Sequence, residues 1–389
     1  MGTKIKTIKT ICKDMRLETK IATLLMFAAL ALSSCTKKPH TPAEDPQPAE
    51  VGFTAASQAV WVKGGEDNQI TPQFSEIHDN FGVWGIARQT GVQSPYVLWG
   101  TNSLTFVEES SESGIYKPQT SAYWVKDYIY NFLAVAPFAD AGLSFTAITT
   151  KEDQLNATPP VENPSDYMTF TYDMSSKYSG LPATDATPAV APNYTFDLLG
   201  AAAQTDEIPS GYKDSQRLIF WHLLSKLSIK VIFVDGNGTE VTSNNNAVTK
   251  LSINNVNPKG CFTIKYNSTE GSTGKLSVVP TPDAQTPNNK TLVFDATLAK
   301  DENGRWNAHI IPQTITGFVI DVAYTVTGTD GKVTYYDDSI SLRNSTPASY
   351  DSNGQYIWNI KINPNGAIGL TVDVSEWGEE QVGDEITIM

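Results

Sequence analysis

Residues able to do chemistry are few in this sequence, and their spacing keeps them apart. The four histidines, His40, His78, His222 and His309, form no H-x-x-x-H or H-E-x-x-H pair that would present two imidazoles to a metal. No G-x-S-x-G elbow holds a serine nucleophile, and no G-x-x-x-x-G-K-[ST] loop cradles a phosphate. Asp235, Asn237, Thr239 and Glu240 loosely follow a calcium loop, but the closing glutamate and the spacing are missing, and a hairpin turn accounts for all four. The doublets Asp337-Asp338 and Glu379-Glu380 could work as acid and base only if both carboxylates met one substrate. Neighbouring residues on a strand point to opposite faces, so a solvated surface explains them better. Trp84, Trp99 and Trp124 could line a platform for a glycan, yet β-sandwich cores use tryptophan routinely. These residues imply no enzyme, no metal and no cofactor.

The cysteines say more. Of Cys12, Cys35 and Cys261, Cys35 ends a leader with a familiar design. Lys4, Lys6, Lys9, Lys13, Arg16 and Lys20 precede an apolar run from Ile21 to Leu32, and two serines follow. This is a secretory signal, too short to stay in a bilayer as a span. Leu32-Ser33-Ser34-Cys35 resembles the lipobox of bacterial lipoproteins, which implies removal of residues 1–34 and acylation of Cys35. Met15 offers a second start, because M-R-L-E-T-K alone makes an ordinary leader. At about 0.8 kcal/mol per buried methylene, several acyl chains would hold the protein to the outer membrane.

Removing residues 1–34 takes away six of the 28 basic and two of the 42 acidic residues, moving the net charge from −14 to −18. So acidic a chain repels phosphate backbones, which argues against nucleic acid as a partner. Cys261 is then alone. Without a disulfide the exported fold rests on its core, for which 8 Trp, 16 Tyr and 15 Phe supply material.

Stepping along the chain, residues 35–50 form a polar spacer carrying Pro39, Pro42, Pro46 and Pro48, extended and solvated. Apolar alternation starts at Val51 and predicts a first strand over Val51–Val62, with Val51, Phe53, Ala55, Ala59 and Trp61 on one face. Lys63-Gly64-Gly65-Glu66 ends it as a charged loop. Further strands are expected at 81–88, 96–107, 128–136, 166–172, 218–224 and 225–234. Others follow at 247–256, 261–266, 274–279, 291–298, 305–311, 317–327 and 332–341. Turns at Asp235-Gly-Asn-Gly, Asp301-Glu-Asn-Gly, Thr329-Asp-Gly-Lys and Asp351-Ser-Asn-Gly separate several of them. In the closing hairpin, Tyr356, Trp358, Ile360 and Ile362 alternate with polar residues, as do Ile368, Leu370, Val372 and Val374. Short strands, frequent turns and no βαβ rhythm predict an all-β protein of antiparallel β-sandwiches, in two domains, 51–235 and 236–389.

Several segments then resemble one family. They are Val51-Gly-Phe-Thr-Ala, Phe81-Gly-Val-Trp-Gly, Phe132-Leu-Ala-Val-Ala-Pro, Asp197-Leu-Leu-Gly-Ala and Leu218-Ile-Phe-Trp-His-Leu-Leu-Ser-Lys-Leu-Ser-Ile-Lys-Val. Ile311-Pro-Gln-Thr-Ile, Tyr356-Ile-Trp-Asn-Ile-Lys-Ile and Val372-Asp-Val-Ser-Glu-Trp-Gly complete the series. In this order they resemble the fimbrillins, the type V pilins and fimbrillin-like lipoproteins of Bacteroidetes. The resemblance implies two tandem transthyretin-like β-sandwich domains behind a lipoprotein signal peptide. It also implies a pilus subunit, bound to other pilin subunits by strand exchange once a trypsin-like maturation protease has cut after a basic residue past the first strand. Lys63 stands where that cut would fall, where many relatives have arginine. Loss of Val51–Val62, with five apolar side chains at roughly 1.5–3 kcal/mol each, would remove on the order of 10 kcal/mol as an upper figure. Ile368, Leu370, Val372 and Val374, with Ile386 and Ile388 of the tail, have the alternation to fill a neighbour's groove, or to remain as a last hairpin of their own domain. Asp338-Ser339-Ile340 resembles the O-glycosylation acceptor pattern of exported proteins in the same phylum. The alternative is a surface lipoprotein that binds a glycan or host ligand and does not polymerise.

Overall fold

The computed structural model describes residues 48–376, except 58–59, 62–68, 71–79, 93, 101–102, 110–113, 139, 180–190, 242–245, 268–274, 279–280, 283–288, 296–297, 316, 343–348 and 364–367. Its strands begin with β1 (Phe53–Ser57), β2 (Val60–Trp61), β3 (Gln69–Ile70), β4 (Asn80–Gln89), β5 (Tyr96–Val97), β6 (Thr105–Glu109), β7 (Tyr116–Pro118) and β8 (Tyr128–Ala136). Next come β9 (Leu143–Thr149), β10 (Tyr167–Asp173), β11 (Leu199–Gln204), β12 (Gln216–His222), β13 (Ser225–Phe233), β14 (Asn246–Val256), β15 (Lys259–Asn267), β16 (Lys275–Val278) and β17 (Thr281–Pro282). The chain continues through β18 (Lys290–Asp295), β19 (Trp306–Ile310), β20 (Gln313–Thr314), β21 (Val319–Thr327), β22 (Val333–Ser341), β23 (Ser349–Tyr350), β24 (Gly354–Ile362) and β25 (Ile368–Glu376). Helices α1 (Lys151–Leu155) and α2 (Ser175–Ser179) are each five residues long. The chain is all-β, as expected.

The first sheet closes on itself. Its strands run in the order β4-β6-β7-β1-β12-β11-β8, and β8 pairs again with β4 to complete a barrel, while β5 pairs with Ile86 and Ala87 on the same edge of β4 as β6. Alternation then decides what lies inside. Phe81, Val83 and Ala87 of β4 join Tyr130, Phe132 and Ala134 of β8, Leu218 and Phe220 of β12, and Phe53 of β1 in one buried cluster. The intervening Trp84, Ile86, Leu133 and Val135 belong to a second, larger cluster. Both faces of β4 and β8 are therefore buried, which is why N-F-G-V-W-G-I-A and Y-I-Y-N-F-L-A-V-A read as nearly unbroken apolar runs.

The second cluster takes in β10 and β15, and two four-stranded sheets, β19-β13-β24-β25 and β18-β14-β21-β22. Rings meet across those two sheets, Phe233 of β13 with Tyr324 of β21 at 5.7 Å and Phe294 of β18 with Trp306 of β19 at 6.2 Å. Two sheets facing each other through their apolar sides make a sandwich.

Two features differ from the expected arrangement. The pairings β1–β12 and β13–β24 are parallel, within sheets otherwise antiparallel. Parallel partners need a long crossover, and alternation along a strand carries no sign of its direction. The sheets also change over between His222 and Ser225. The 225–233 strand, which a boundary at 235/236 assigns to the first half, pairs with β19 and β24 of the second. In return β15 crosses back to pair with β10 over seven positions.

Candidate functional site

β1 is the strand on which the sequence reading depends. It lies parallel to β12 over five positions, Phe53↔Gln216 to Ser57↔Phe220. On its other side the sheet bonds it to β7 at one position, Phe53↔Tyr116. Just ahead of it, Val51 N donates to Ala122 O at 2.8 Å and Trp124 N to Ala49 O at 3.0 Å, which holds the entry of the strand.

Val51 and Phe53 are fully buried. The Phe53 ring stands edge-on to Phe132 at 5.1 Å and to Phe81 at 6.0 Å, and tilted to Trp99 at 6.4 Å. Room for these rings comes partly from Gly85, where a Cβ would lie 2.9 Å from both the Phe132 and Trp99 rings. The strand is shorter than expected. It ends at Ser57, and Val60 and Trp61 pair instead with Ile70 and Gln69 as the hairpin β2–β3. Among the described residues of the segment, Val51 and Phe53 are fully buried and together contribute roughly 3–6 kcal/mol.

The other sequence-predicted residues fall as follows. Cys35, Lys63, Ile386 and Ile388 lie outside the described residues, as do His40, His78 and Glu379-Glu380. Ile368, Leu370, Val372 and Val374 lie in β25, opposite Ile362, Ile360, Trp358 and Tyr356 of β24 in antiparallel register. β25 is the last strand of its sheet, with a partner on one side among the described residues. Ser339 is exposed on β22, and its Oγ donates to Asp321 Oδ1 at 2.5 Å. Asp338 accepts from the Tyr324 hydroxyl at 2.9 Å while Asp337 is exposed. Asp235 Oδ1 accepts from the amides of Asn237 and Thr239 at 2.8 and 2.9 Å, a hairpin turn that uses the carboxylate itself. Cys261 is half-buried, and burial pushes its thiol up from the ordinary value.

The tryptophan platform is not built from the residues expected. Trp84 and Trp124 are buried, one in each cluster, and the half-buried Trp99 donates its Nε1 to Thr120 O at 2.8 Å. Barrel and sandwich interiors need large apolar side chains, and this demand takes the tryptophans first.

Two buried polar clusters carry no local signal in the sequence. Arg88, near the end of β4, bonds Glu152 of α1 through Nε and Nη2 at 2.8 and 2.7 Å. It also bonds Asp166 through Nη1 and Nη2, both at 2.7 Å. Asp166 is buried and accepts in addition from Asn131 Nδ2 and Lys151 N. Burial alone would lower the Arg88 pKa, but the bonds to Glu152 and Asp166 more than offset it. In turn Arg88 holds the Glu152 carboxyl below the usual carboxylate range. The group fastens α1, whose Thr150–Asp153 capping box closes its first turn, to the barrel wall.

The second cluster stands where the sheets change over. His222 Nδ1 lies 2.7 Å from Asp197 Oδ2, both buried. His309 of β19 is opposite Lys226 of β13, and its Nδ1 lies 3.0 Å from Phe196 O. Burial lowers the His309 pKa to about 4, with Asp197 opposing the shift and His222 and Lys226 reinforcing it. Among the described residues no three His, Cys, Asp or Glu side chains gather as a metal site.

An all-β chain built on a barrel closed by its first strand, with a sandwich after it, is the class this geometry defines. The sequence matches the model of the fimbrillin-like family over residues 67–377, and the chain belongs to that family. The matched stretch begins after β1. No curated protein matches the chain. Among solved structures, a fimbrial protein from Bacteroides vulgatus is similar at 14% identity and a TM-score of 0.47, covering 84% of this chain and 99% of that one. A candidate cell adhesion protein from Bacteroides uniformis is similar at 17% identity and a TM-score of 0.43, with the same coverage. The fimbrial anchor protein Mfa2 from Porphyromonas gingivalis is similar at 11% identity and a TM-score of 0.30, covering 85% and 98%. The family assignment rests on the sequence match.

Proposed function

We propose that this chain is a subunit of a cell-surface pilus, exported as a lipoprotein acylated on Cys35 and assembled by strand exchange after proteolysis. One observation supports it above others. Among the described residues, β1 is paired over five positions on one side and with β7 at Phe53↔Tyr116 on the other, while Val51 and Phe53 fill the barrel interior. Withdrawing such a strand leaves β12 with an unpaired edge beside a slot lined by Phe81, Trp99 and Phe132. An open edge over an apolar slot recruits another strand.

A cut at Lys63 by a trypsin-like protease would separate β1, and the lipid anchor with it, from the rest of the chain. The replacement strand would come from another subunit. β25 already has β24 as a partner, so the tail beyond Glu376, with Ile386 and Ile388, is the readier donor, and release of β25 itself is the costlier route. The part of the chain before Ser225 is then the one that is opened, and the part after it supplies the donor.

Trypsin treatment of the purified, delipidated chain should give a product beginning at Gly64 and a ladder of species on a denaturing gel run without boiling. A product that is cut at Lys63 yet stays monomeric would overturn the reading. Truncating residues 376–389 should shorten or abolish the ladder; a ladder of unchanged length would exclude the tail as donor.

A further inference from the structure

We propose that the cavity beside the loop joining β11 to β12 binds a neutral saccharide. This contact with a glycan is a separate claim from strand exchange, and its lining residue Gln216 is paired with Phe53 of β1. The cavity has a volume of about 560 Å³, within the roughly 300–1,000 Å³ typical of small-molecule sites. It is lined by Gln204, Asp206, Glu207, Tyr212, Gln216 and Tyr266, among others.

The walls are held in place before any ligand arrives. Thr205 N donates to Tyr130 O at 2.9 Å, Tyr130 N to Thr205 Oγ1 at 2.9 Å, and Ile208 N to Tyr128 O at 2.9 Å. Asp127 N donates back to Ile208 O at 2.9 Å. Ile208 is buried in the barrel interior. The Tyr212 ring is set edge-on against Trp124 at 5.2 Å. Gln216 Nε2 donates to Arg217 O at 2.8 Å, which fixes the carboxamide and leaves its oxygen as an acceptor. The loop backbone therefore has little conformational freedom left to lose on binding.

The lining chemistry selects the ligand. Tyr212 and Tyr266 lie in the lining, aromatic side chains of the kind that pack on the C–H side of a pyranose. Two carboxamides and the carboxylates of Asp206 and Glu207 offer acceptors, with amide donors, to its hydroxyl edge. Neither Lys nor Arg is among the described lining residues, so a sialic acid, a uronic acid or a phosphate would find no cationic partner among them beside Asp206 and Glu207. An ammonium ligand would meet the same carboxylates, but both are exposed, and exposed ion pairs contribute little.

The test is a glycan array carrying neutral, sialylated and uronate-containing glycans, probed with the delipidated full chain, with a lysine-rich peptide spotted alongside. Binding should be confined to neutral glycans and unchanged by a roughly tenfold rise in NaCl. The Gln204→Ala, Glu207→Ala double variant changes two exposed side chains, so its melting curve should stay in place. Its affinity should fall about tenfold or more, the size of one or two lost hydrogen bonds. Absence of neutral-glycan binding would overturn the proposal, as would neutral binding that survives the double variant. Salt-sensitive capture of the lysine-rich peptide, or of acidic glycans, in place of neutral ones would overturn it too.

Discussion

Replacing Phe53 with alanine tests whether β1 holds the barrel shut. The ring is fully buried among Phe81, Trp99 and Phe132. Removing it forfeits the transfer free energy of the ring and leaves a void inside a closed wall that has little freedom to collapse. Substitutions of this kind cost about 3–5 kcal/mol, and the two edge-on ring pairs place the value in the upper part of that range. Thr54→Ala, at the half-buried neighbouring position, should stay within about 1 kcal/mol. Urea unfolding followed by tryptophan fluorescence should show the midpoint of Phe53→Ala moving down with the slope unchanged.

Under the proposed cut at Lys63, the same contacts would govern the strand after cleavage. At 1.4 kcal/mol per factor of ten, a loss of 3 kcal/mol corresponds to about a hundredfold weaker hold of a cut β1 on the barrel. Phe53→Ala should therefore release the cut segment faster in a dissociation assay with a labelled N-terminus. A stability loss below about 1 kcal/mol, or a release rate like that of the unsubstituted chain, would mean the barrel does not need the strand. The slot on which the proposed assembly depends would then not exist.

Arg88→Met strands the buried Asp166 and should cost about 3–5 kcal/mol in the same unfolding assay, whereas Glu152→Gln, at a partly exposed position, should cost about 1. Above pH 6.5 His309 is neutral folded or unfolded; between 6.5 and about 4 only the unfolded chain takes up the proton. Stability should thus fall on acidification through that window, by about 3 kcal/mol in all at 1.36 kcal/mol per pH unit. His309→Gln should flatten that part of a stability-against-pH curve; an unchanged slope would place the proton elsewhere. Gly85→Ala pushes a methyl against the Phe132 and Trp99 rings and should cost about 1–3 kcal/mol by calorimetry.

Much of the sheet structure was legible because strands buried on one face must alternate and those buried on both must be apolar throughout. The expected 128–136, 225–234 and 247–256 lie within one residue of β8, β13 and β14 at each end. β11 was missed because Leu199–Gln204 reads L-G-A-A-A-Q, poor in β-branched and aromatic residues. Its small side chains have a spatial reason: a Cβ on Gly200 would lie 2.6 Å from Ile264 of β15. The 96–107 run broke into β5 and β6 around Gly100, whose φ of 151° takes the chain out of ordinary strand geometry. The Arg88 and His309 clusters were invisible because their partners are 64 or more positions away for Arg88 and 113 for the His309–Phe196 bond. Only the closed barrel and the sheet change-over bring them together.

The position of β1 outside the family match and inside the barrel has a physical meaning. A strand needed only to complete a ring must satisfy its neighbours' backbone bonds and fill one apolar slot, and many sequences meet those terms. The slot it fills, built by β4, β8 and β12, is packed from both faces of β4 and β8. Under the proposed strand exchange, another chain's strand of similar pattern would have to meet the same terms. The pairing of β1 favours this, because its bonds to β12 cover five positions while the β7 side is tied at one. A replacement strand would have to match β12 and the Phe53 slot, and to regain the bonds that Ala49 and Val51 make with Trp124 and Ala122.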